Sequence, residues 1–275
     1  MYALQSIVHP TDFSEASADA FFHALRIALA AKATLTILHV SAESRTDEWA
    51  SFPHVRKTLA DWGLMDANES TDAIHARTGM KVIKVAMMPQ QPVEAILHFL
   101  HEHPAGLVVV ATLARQGVAR WLHGSVAEDI ARHVDVPTLF VPAQARGIDE
   151  AARGEVHLRH VLKPVDHEPA PGEAVSAAMG FAQMIAGIAA ETRLLHVGDT
   201  PPAIQAFGQT RPPPVTHRKG DVLTTLLDAA KEWPADLIAM ATAGHQGFMD
   251  ALRGSTTEQI VRQATCPVLA VPLPR

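Results

Sequence analysis

The chain contains two copies of one sequence pattern, and this internal repeat restricts the possible folds more than any other feature. The clearest pair is GSVAEDIARHVDVPTLFVP at 124–142 and GSTTEQIVRQATCPVLAVP at 254–272, which share nine of nineteen positions. Three shorter pairs recur in the same order, namely 7–12 with 161–166, 35–40 with 193–197, and 106–112 with 236–242. A repeat that keeps its order along the chain predicts two structural units of one architecture.

Each copy alternates short apolar runs with longer helical patterns. In the first copy, runs rich in β-branched residues predict strands at 7–8, 35–40, 81–85, 107–111 and 138–141. Helices are predicted between them at 14–31, 49–66, 92–103 and 125–133. Because parallel strands need helical crossovers, each unit is predicted to be an α/β domain with a doubly wound parallel sheet. The domains are predicted at 1–145 and 157–275, as the length of 275 residues suggests.

The second copy is shorter between its second and fourth strands. From Val40 to Gly124 the first copy spans 84 residues, whereas Val197 to Gly254 spans 57. The shortened region contains Pro-Pro at 201–202 and three prolines at 212–214. Because proline disrupts helix interiors, we expect an extended or irregular connection in place of one crossover helix.

Composition excludes several classes of protein. The formal net charge is −6 with 16 histidines taken as neutral, so the broad basic surface of a nucleic-acid-binding protein is missing. The single cysteine, Cys266, cannot form an internal disulfide, and we expect it to be a small buried apolar side chain. The uncharged run 174–190 is short and rich in alanine, which favours a buried helix over a membrane span. Without a leader pattern at the N-terminus, we expect a cytoplasmic protein.

The segment from the fourth strand into the last helix carries the functional signal. In the second copy it contains Gly244, nine further residues, then Gly254 and Ser255. Glycines permit close backbone approach to a ligand, and a helix N-terminus favours a phosphate. This pattern resembles that of universal stress proteins, which have Gly, two residues, Gly, nine residues, then Gly-Ser or Gly-Thr. The resemblance implies a Rossmann-like, adenine nucleotide alpha hydrolase-like fold, a role in stress tolerance and, in a subset, bound ATP, AMP or another adenine nucleotide with Mg.

The resemblance also assigns site residues in each copy. In the second copy, Asp166 and Val197 correspond to the base and ribose end, and the phosphate end comprises Ala241, Gly244, Gly254, Ser255 and Thr256. The matching set in the first copy is Asp12, Val40, Gly124, Ser125 and Val126. Alanine replaces both leading glycines in the first copy and one in the second, so the second copy is the better candidate.

Two readings of these residues remain open at the level of sequence. Ser125 with Glu128 and Ser255 with Glu258 have the spacing of helix capping boxes, which explains them without a ligand. The protein is therefore predicted to be a non-catalytic stress-response regulator that binds nucleotide, with a nucleotide-free interaction scaffold as the alternative. A Walker A run is absent, and no Ser-His-Asp or Cys-His arrangement follows from spacing, so the protein is not predicted to be an enzyme.

The histidines receive a structural interpretation. His98 and His101, with Glu94 one turn earlier, have a spacing that could hold zinc, but no matching fourth ligand is evident. The polar face of a helix explains them, together with His103 just beyond it. His39 and His196 end equivalent strands and are predicted to be structural or pocket-wall residues. No metal ligands are assigned.

The last strand of each copy is predicted to join the two units. Both strands, 138–141 and 268–271, are apolar and would leave open sheet edges if unpaired. We expect them to pair antiparallel within one chain, which makes a pseudo-symmetric dimer of domains. Further assembly into a homodimer is an additional expectation.

Overall fold

A computed structural model describes most of the chain. It covers residues 4–40, 49, 52–88, 91–112, 136–143, 158–167, 190–204, 213–242 and 256–272, with a few single residues between these ranges. In the first half the strands are β1 (Ser6–Thr11), β2 (Thr34–Val40), β3 (Lys81–Met87), β4 (Leu107–Thr112) and β5 (Thr138–Pro142). The helices are α1 (Glu15–Ala31), α2 (Val55–Asp61), α3 (Thr71–Thr78) and α4 (Pro92–Glu102).

The second half repeats this order with fewer described elements. Its strands are β6 (His160–Pro164), β7 (Glu191–Val197), β8 (Val215–Arg218), β9 (Leu237–Thr242) and β10 (Val268–Pro272). Its helices are α5 (Val222–Glu232) and α6 (Thr256–Gln263). Residues 198–204 and 213–214, on either side of the undescribed part of the β7–β8 connection, contain no helix, as the prolines predict. No helix in the described ranges is long and apolar enough to cross a membrane.

The ten strands in the described part of the chain form one sheet in the order β3-β2-β1-β4-β5-β10-β9-β6-β7-β8. Strands are parallel within each half, and the mostly parallel α/β fold predicted from the repeat is confirmed. The predicted antiparallel pairing of the last strands is confirmed as well, because Leu139 pairs with Leu269 at the centre of β5 and β10. These two leucines occupy equivalent positions in the two copies, so a pseudo-twofold axis passes between them.

Two apolar cores cover the two faces of the sheet and extend through both halves. One contains the buried face of α1, with Phe21 and Leu25 fully buried, and extends to Leu237 in the second half. The other lies beneath α4, α5 and α6 and contains Cys266, which is buried as predicted. The sheet and these shared cores hold the strand ends in fixed positions.

Two helix predictions differ from the structure. The helix predicted at 49–66 is observed at Val55–Asp61, and Trp49 is helical as well, but Pro53 restricts the backbone before Val55, and residues 62–65 form turns and bends. The helix Thr71–Thr78 was not predicted, because the segment has little apolar periodicity. Ile74 is the buried apolar residue that holds this helix against the core. The helix predicted at 125–133 lies outside the described residues, except that Ala127 is helical.

Candidate functional site

The strand order creates one crevice in each half of the sheet. In the first half, β1 lies between β2 and β4. From β1 the chain continues to β2 and β3 on one side, and it then crosses to β4 and β5 on the other side. In the second half, β6 lies between β7 and β9 in the same way. Ligands of open parallel sheets bind beyond the carboxyl ends of the strands at such a switch point. Because the halves run antiparallel to each other, their crevices open at opposite edges of the sheet.

The aspartate of the first crevice is engaged in starting a helix. Asp12 directly follows β1, and its Oδ1 accepts hydrogen bonds from the backbone N–H of Ser14 at 3.0 Å and the hydroxyl of Ser14 at 2.6 Å. The hydroxyl oxygen of Ser14 in turn accepts the N–H of Ser17 at 3.2 Å and caps α1. Asp12 thus supports local structure, although its side chain remains exposed.

Four rings, which we call the aromatic stack, pack against one another where β1 and β2 end. Phe13, held at a φ of 60°, stacks on His39 with 4.0 Å between ring centroids. Trp49 and Phe52 contact the same phenyl ring at centroid distances of 4.8 and 5.2 Å. His39 and Phe52 are buried. A nucleoside at this position would have to displace the stack.

The second crevice has polar side chains at the corresponding positions. His167 stands where the first copy has Phe13, and His196 stands where it has His39. The Asp166 side chain is 69% exposed, and His167 is also exposed, whereas His196 is buried. The two imidazole rings lie nearly perpendicular, with centroids 5.5 Å apart. The second crevice therefore presents accessible hydrogen-bonding groups where the first presents packed rings.

The structure brings several of the sequence-predicted residues to one edge of the sheet. Asp166 follows β6, and Val197 ends the neighbouring strand β7. Ala241 lies one residue before the end of β9, which is the neighbour of β6 on its other side. Thr256 is the first residue of α6, the crossover helix that returns to β10. Val40 ends β2 beside the aromatic stack. The remaining predicted residues lie outside the described part of the chain: Gly124, Ser125, Val126, Gly244, Gly254 and Ser255.

The structure describes only part of the predicted capping boxes. Both serines lie outside the described residues, so the reciprocal bonds of a box stay a prediction. Glu258 is buried and forms an ion pair with Arg262, one turn further along α6. This carboxylate therefore has a structural role within the helix.

Both copies place a titratable side chain at the same interior position of their first strand. His9 and Lys163 are fully buried. Nδ1 of His9 donates a hydrogen bond to the carbonyl of Val109 at 2.9 Å, and Nζ of Lys163 donates to the carbonyl of Ala239 at 3.4 Å. Burial lowers the pKa of His9 to about 4 and that of Lys163 to about 7. These two residues were not singled out from the sequence, because only the alignment of the first strands indicates that they are equivalent.

We expect His9 to make the protein sensitive to mild acid. The unfolded chain binds a proton at His9 near pH 6.5, whereas the folded chain does so only near pH 4. Its contribution to the free energy of unfolding should therefore fall by up to about 1.4 kcal/mol per pH unit from pH 6.5 to 4. Urea denaturation of wild type and His9→Leu at several pH values measures this difference. Equal pH slopes in the two proteins would contradict the assignment.

Comparison with known proteins identifies the family. A model of the universal stress protein family matches residues 3–142 and, a second time, residues 144–272. The chain belongs to the universal stress protein family. A universal stress protein of Methanocaldococcus jannaschii is 29% identical over 140 residues, which are 50% of this chain and 81% of that protein.

Two solved structures are similar in fold to this chain over nearly its whole length. A universal stress protein of Archaeoglobus fulgidus DSM 4304 matches 97% of this chain and 96% of its own, with a TM-score of 0.63 and 18% identity. A protein of Pseudomonas aeruginosa UCBPP-PA14 matches 98% of this chain and 94% of its own, with a TM-score of 0.61 and 16% identity. At these identities the likeness establishes the Rossmann-like fold and its duplication.

Proposed function

We propose that this universal stress protein is a non-catalytic regulator of the stress response that binds an adenine nucleotide, ATP or AMP with Mg²⁺, in its second crevice. The carrying observation is the contrast between the two crevices. The aromatic stack lies at the strand ends of the first, whereas the second offers exposed Asp166 and His167 at the equivalent strand ends. Because the two crevices differ in this way, we expect the nucleotide to bind to the second unit and not to the first.

The groups at the second crevice match the chemistry of a nucleoside. Asp166 is exposed, and its carboxylate can accept hydrogen bonds from ribose hydroxyls. Val197 is partly exposed at the end of β7 and supplies an apolar surface for a base. In the family pattern, the phosphates lie toward Gly244, Gly254 and Ser255, where α6 begins. The N-terminus of this helix favours negative charge.

The non-catalytic part of the proposal rests on the sequence. It contains no Walker A run, and its first-strand loops at 10–14 and 164–168 lack the dense Ser-Gly-Gly phosphate loop of ligases with a related fold. Ala241 stands where the family pattern has its first glycine. This substitution favours the alternative function, a nucleotide-free interaction scaffold, which the following test separates from nucleotide binding.

We expect ATP to stabilise the wild-type protein. At 100 times the dissociation constant, a ligand that binds only the folded state adds about 2.7 kcal/mol to the free energy of unfolding. Thermal denaturation with and without nucleotide, in the presence and absence of Mg²⁺, measures this shift. Asp166→Ala should weaken affinity about ten- to a hundredfold, because hydrogen bonds to a charged group contribute about 1.5–3 kcal/mol.

The chain provides its own matched control for this variant. Asp12→Ala removes the equivalent carboxylate from the first half, where the structure shows it bonded to Ser14. Its baseline stability should fall, but its nucleotide-induced shift should equal that of wild type. Equal loss of the shift in both variants would contradict binding in the second half. No shift at millimolar nucleotide in wild type would favour the scaffold.

A further inference from the structure

Strand β3 forms one edge of the ten-stranded sheet, and no strand in the described part of the chain pairs with its outer side. It is seven residues long and pairs with β2 over its whole length, from Lys81 beside Thr34 to Met87 beside Val40. The complete ladder on the inner side holds β3 in an extended conformation. Such an edge is a template to which another extended chain can add through backbone hydrogen bonds.

The hydrogen bonds with β2 determine which backbone groups of β3 point outward. The N–H of Lys81 donates to the carbonyl of Ala33 at 3.3 Å, so the backbone of Lys81 faces β2. In a parallel pair, alternate residues of a strand bond to the same neighbour. From this alternation and the register with β2, the backbone N–H and C=O groups of Val82, Lys84 and Ala86 point away from the sheet. These are the groups that an added strand would bind.

The opposite edge of the sheet offers much less backbone. Strand β8 has four residues, and the carbonyl of Arg218 accepts a hydrogen bond from the N–H of Gly198 at 2.9 Å. The backbone of Arg218 therefore faces the inner strand β7, and alternation directs the N–H of its neighbour His217 outward. Because added strands gain affinity from several main-chain hydrogen bonds, β3 is the better template of the two.

The open edge is basic, although the chain is acidic overall. Between Gly79 and Gln91 the charged residues are Lys81 and Lys84, both exposed, whereas the formal net charge of the chain is −6. Lys32 brings a third ammonium group to this edge, because its side chain lies against Gly79, two residues before β3. Lysines on an edge strand oppose pairing with a second basic strand. The same charges favour a partner segment that carries carboxylates.

Apolar side chains beside the lysines supply contact area on one face of the edge. Ile83 is 37% exposed, and Val85 and Met87, which follow on the same face, are only partly covered by the core beneath α4. Lys84 belongs to the other face, where its Nζ lies 4.9 Å from the ring centre of Trp49. A strand added beside β3 also has two faces. Its complement is therefore a segment in which apolar and acidic residues alternate.

We propose that the outer edge of β3 binds an extended acidic segment of a partner protein, which adds to the sheet as a further strand. Backbone hydrogen bonds to Val82, Lys84 and Ala86 fix its register. Its carboxylates lie beside the two lysines of β3, and its apolar side chains cover Ile83. A second copy of this chain fits less well, because pairing of two β3 strands brings lysines of like charge together. This inference is independent of nucleotide binding, since the proposed nucleotide site lies in the second half.

A designed peptide tests this edge on the full-length protein. The probe is a capped, fluorescein-labelled peptide as long as β3, in which glutamate alternates with valine, and its binding is followed by fluorescence anisotropy. Wild type should bind this peptide, more weakly as salt rises, and should not bind a matched peptide with lysine in place of glutamate. At saturating peptide, hydrogen exchange of the Val82, Lys84 and Ala86 amides, followed by NMR, should slow at least about tenfold, because these N–H groups become hydrogen-bonded.

Two pairs of variants separate the backbone from the charges. Ala86→Pro removes one outward N–H but leaves the ladder with β2 intact, because proline is tolerated on the solvent side of an edge strand. Lys81→Gln/Lys84→Gln removes the charges and keeps every backbone group. Each should weaken peptide binding at least about tenfold. The matched controls at the other edge, His217→Pro in β8 and Lys219→Gln just after it, should bind the peptide as wild type does.

Unchanged affinity in either Ala86→Pro or Lys81→Gln/Lys84→Gln would overturn the proposal, as would an equal loss of affinity in the control variants. The lysine variant keeps the test decisive if the proline variant does not fold. Binding without slower exchange of the outward amides would place the peptide elsewhere, and failure of wild type to bind at millimolar peptide would leave no such site, so both results contradict the proposal. Self-association of wild type that Ala86→Pro abolishes would assign the edge to a second copy and would also overturn it.

Discussion

Replacing Lys163 with methionine is expected to raise the free energy of unfolding at pH 7 by several kcal/mol, with about 4 kcal/mol as the upper bound. Lys163 is fully buried in β6, and burial lowers its pKa from 10.5 to about 7. Each unit of this difference corresponds to about 1.4 kcal/mol. Within the described residues, its Nζ contacts the carbonyl of Ala239 at 3.4 Å, which compensates little of the lost hydration. Methionine preserves the length and the apolar stem of the side chain.

The pH dependence of this effect identifies its cause. Between pH 7 and 10.5 the unfolded chain holds a proton on Lys163 that the folded chain has released. Wild-type stability should therefore rise with pH in this window, relative to the variant, by up to about 1.4 kcal/mol per pH unit. The advantage of Lys163→Met should shrink accordingly and vanish above pH 10.5.

Guanidinium denaturation of both proteins from pH 6 to 10 measures this difference. Lys57→Met serves as the control, because Lys57 is exposed and forms a surface ion pair with Asp61. That substitution should change stability by less than about 0.5 kcal/mol. A destabilised Lys163→Met variant, or an effect that does not change with pH, would show that the ammonium group has a partner that offsets its burial.

The second large effect concerns the antiparallel seam between the two halves. Leu139 and Leu269 face each other at the centre of β5 and β10, and both are buried in the core that extends through both halves. Replacing either one with alanine should cost about 2–5 kcal/mol. Because the two side chains form a cross-strand pair, the double substitution should deviate from the sum of the single ones by about 0.5–3 kcal/mol.

A shared seam also predicts that both halves unfold together. The chain has four tryptophans, Trp49, Trp62 and Trp121 in the first half and Trp233 in the second, so single-tryptophan versions that keep Trp62 or Trp233 can follow each half separately. In Leu269→Ala both halves should lose stability in one transition. Met88→Ala, at a position that is 69% exposed, should have little effect. Separate transitions, with only the second half weakened, would contradict a common core.

Most of the fold could be predicted from the sequence because it follows from local patterns that occur twice. Apolar runs at 35–40 and 107–111 correspond to β2 and β4, and the apolar last strands predicted the seam. The helix Thr71–Thr78 escaped prediction because it buries little apolar surface. Its position depends on the strands that flank it, which a local pattern does not contain.

The differences between the two crevices were harder to predict, because they depend on which strand ends are neighbours. His39 and His196 are equivalent in sequence, and both donate Nδ1 to a backbone carbonyl at the end of the adjacent strand. Their surroundings diverge at the position that is Phe13 in the first copy and His167 in the second, and Trp49 and Phe52 pack against Phe13 in the first copy. The Asp-His pair after β6, together with a histidine one residue before the end of β7, is the sequence signal for the polar side chains of the second crevice.

Lys163 shows a different limit of sequence interpretation. A lysine is normally expected to reach solvent, and nothing in its immediate neighbours in the sequence opposes that expectation. Its burial follows from its place in the middle strand of the second half, between β7 and β9. The equivalent position in the first half contains His9, which is also buried.

Native mass spectrometry of the full chain with ATP and Mg²⁺ tests the central claim, that the two similar halves have unequal crevices and only the second binds nucleotide. The account predicts a complex with one nucleotide per chain that does not take up a second as the ATP concentration rises. Two nucleotides per chain would show that the aromatic stack does not close the first crevice, and a chain that binds none at millimolar ATP would contradict nucleotide binding altogether.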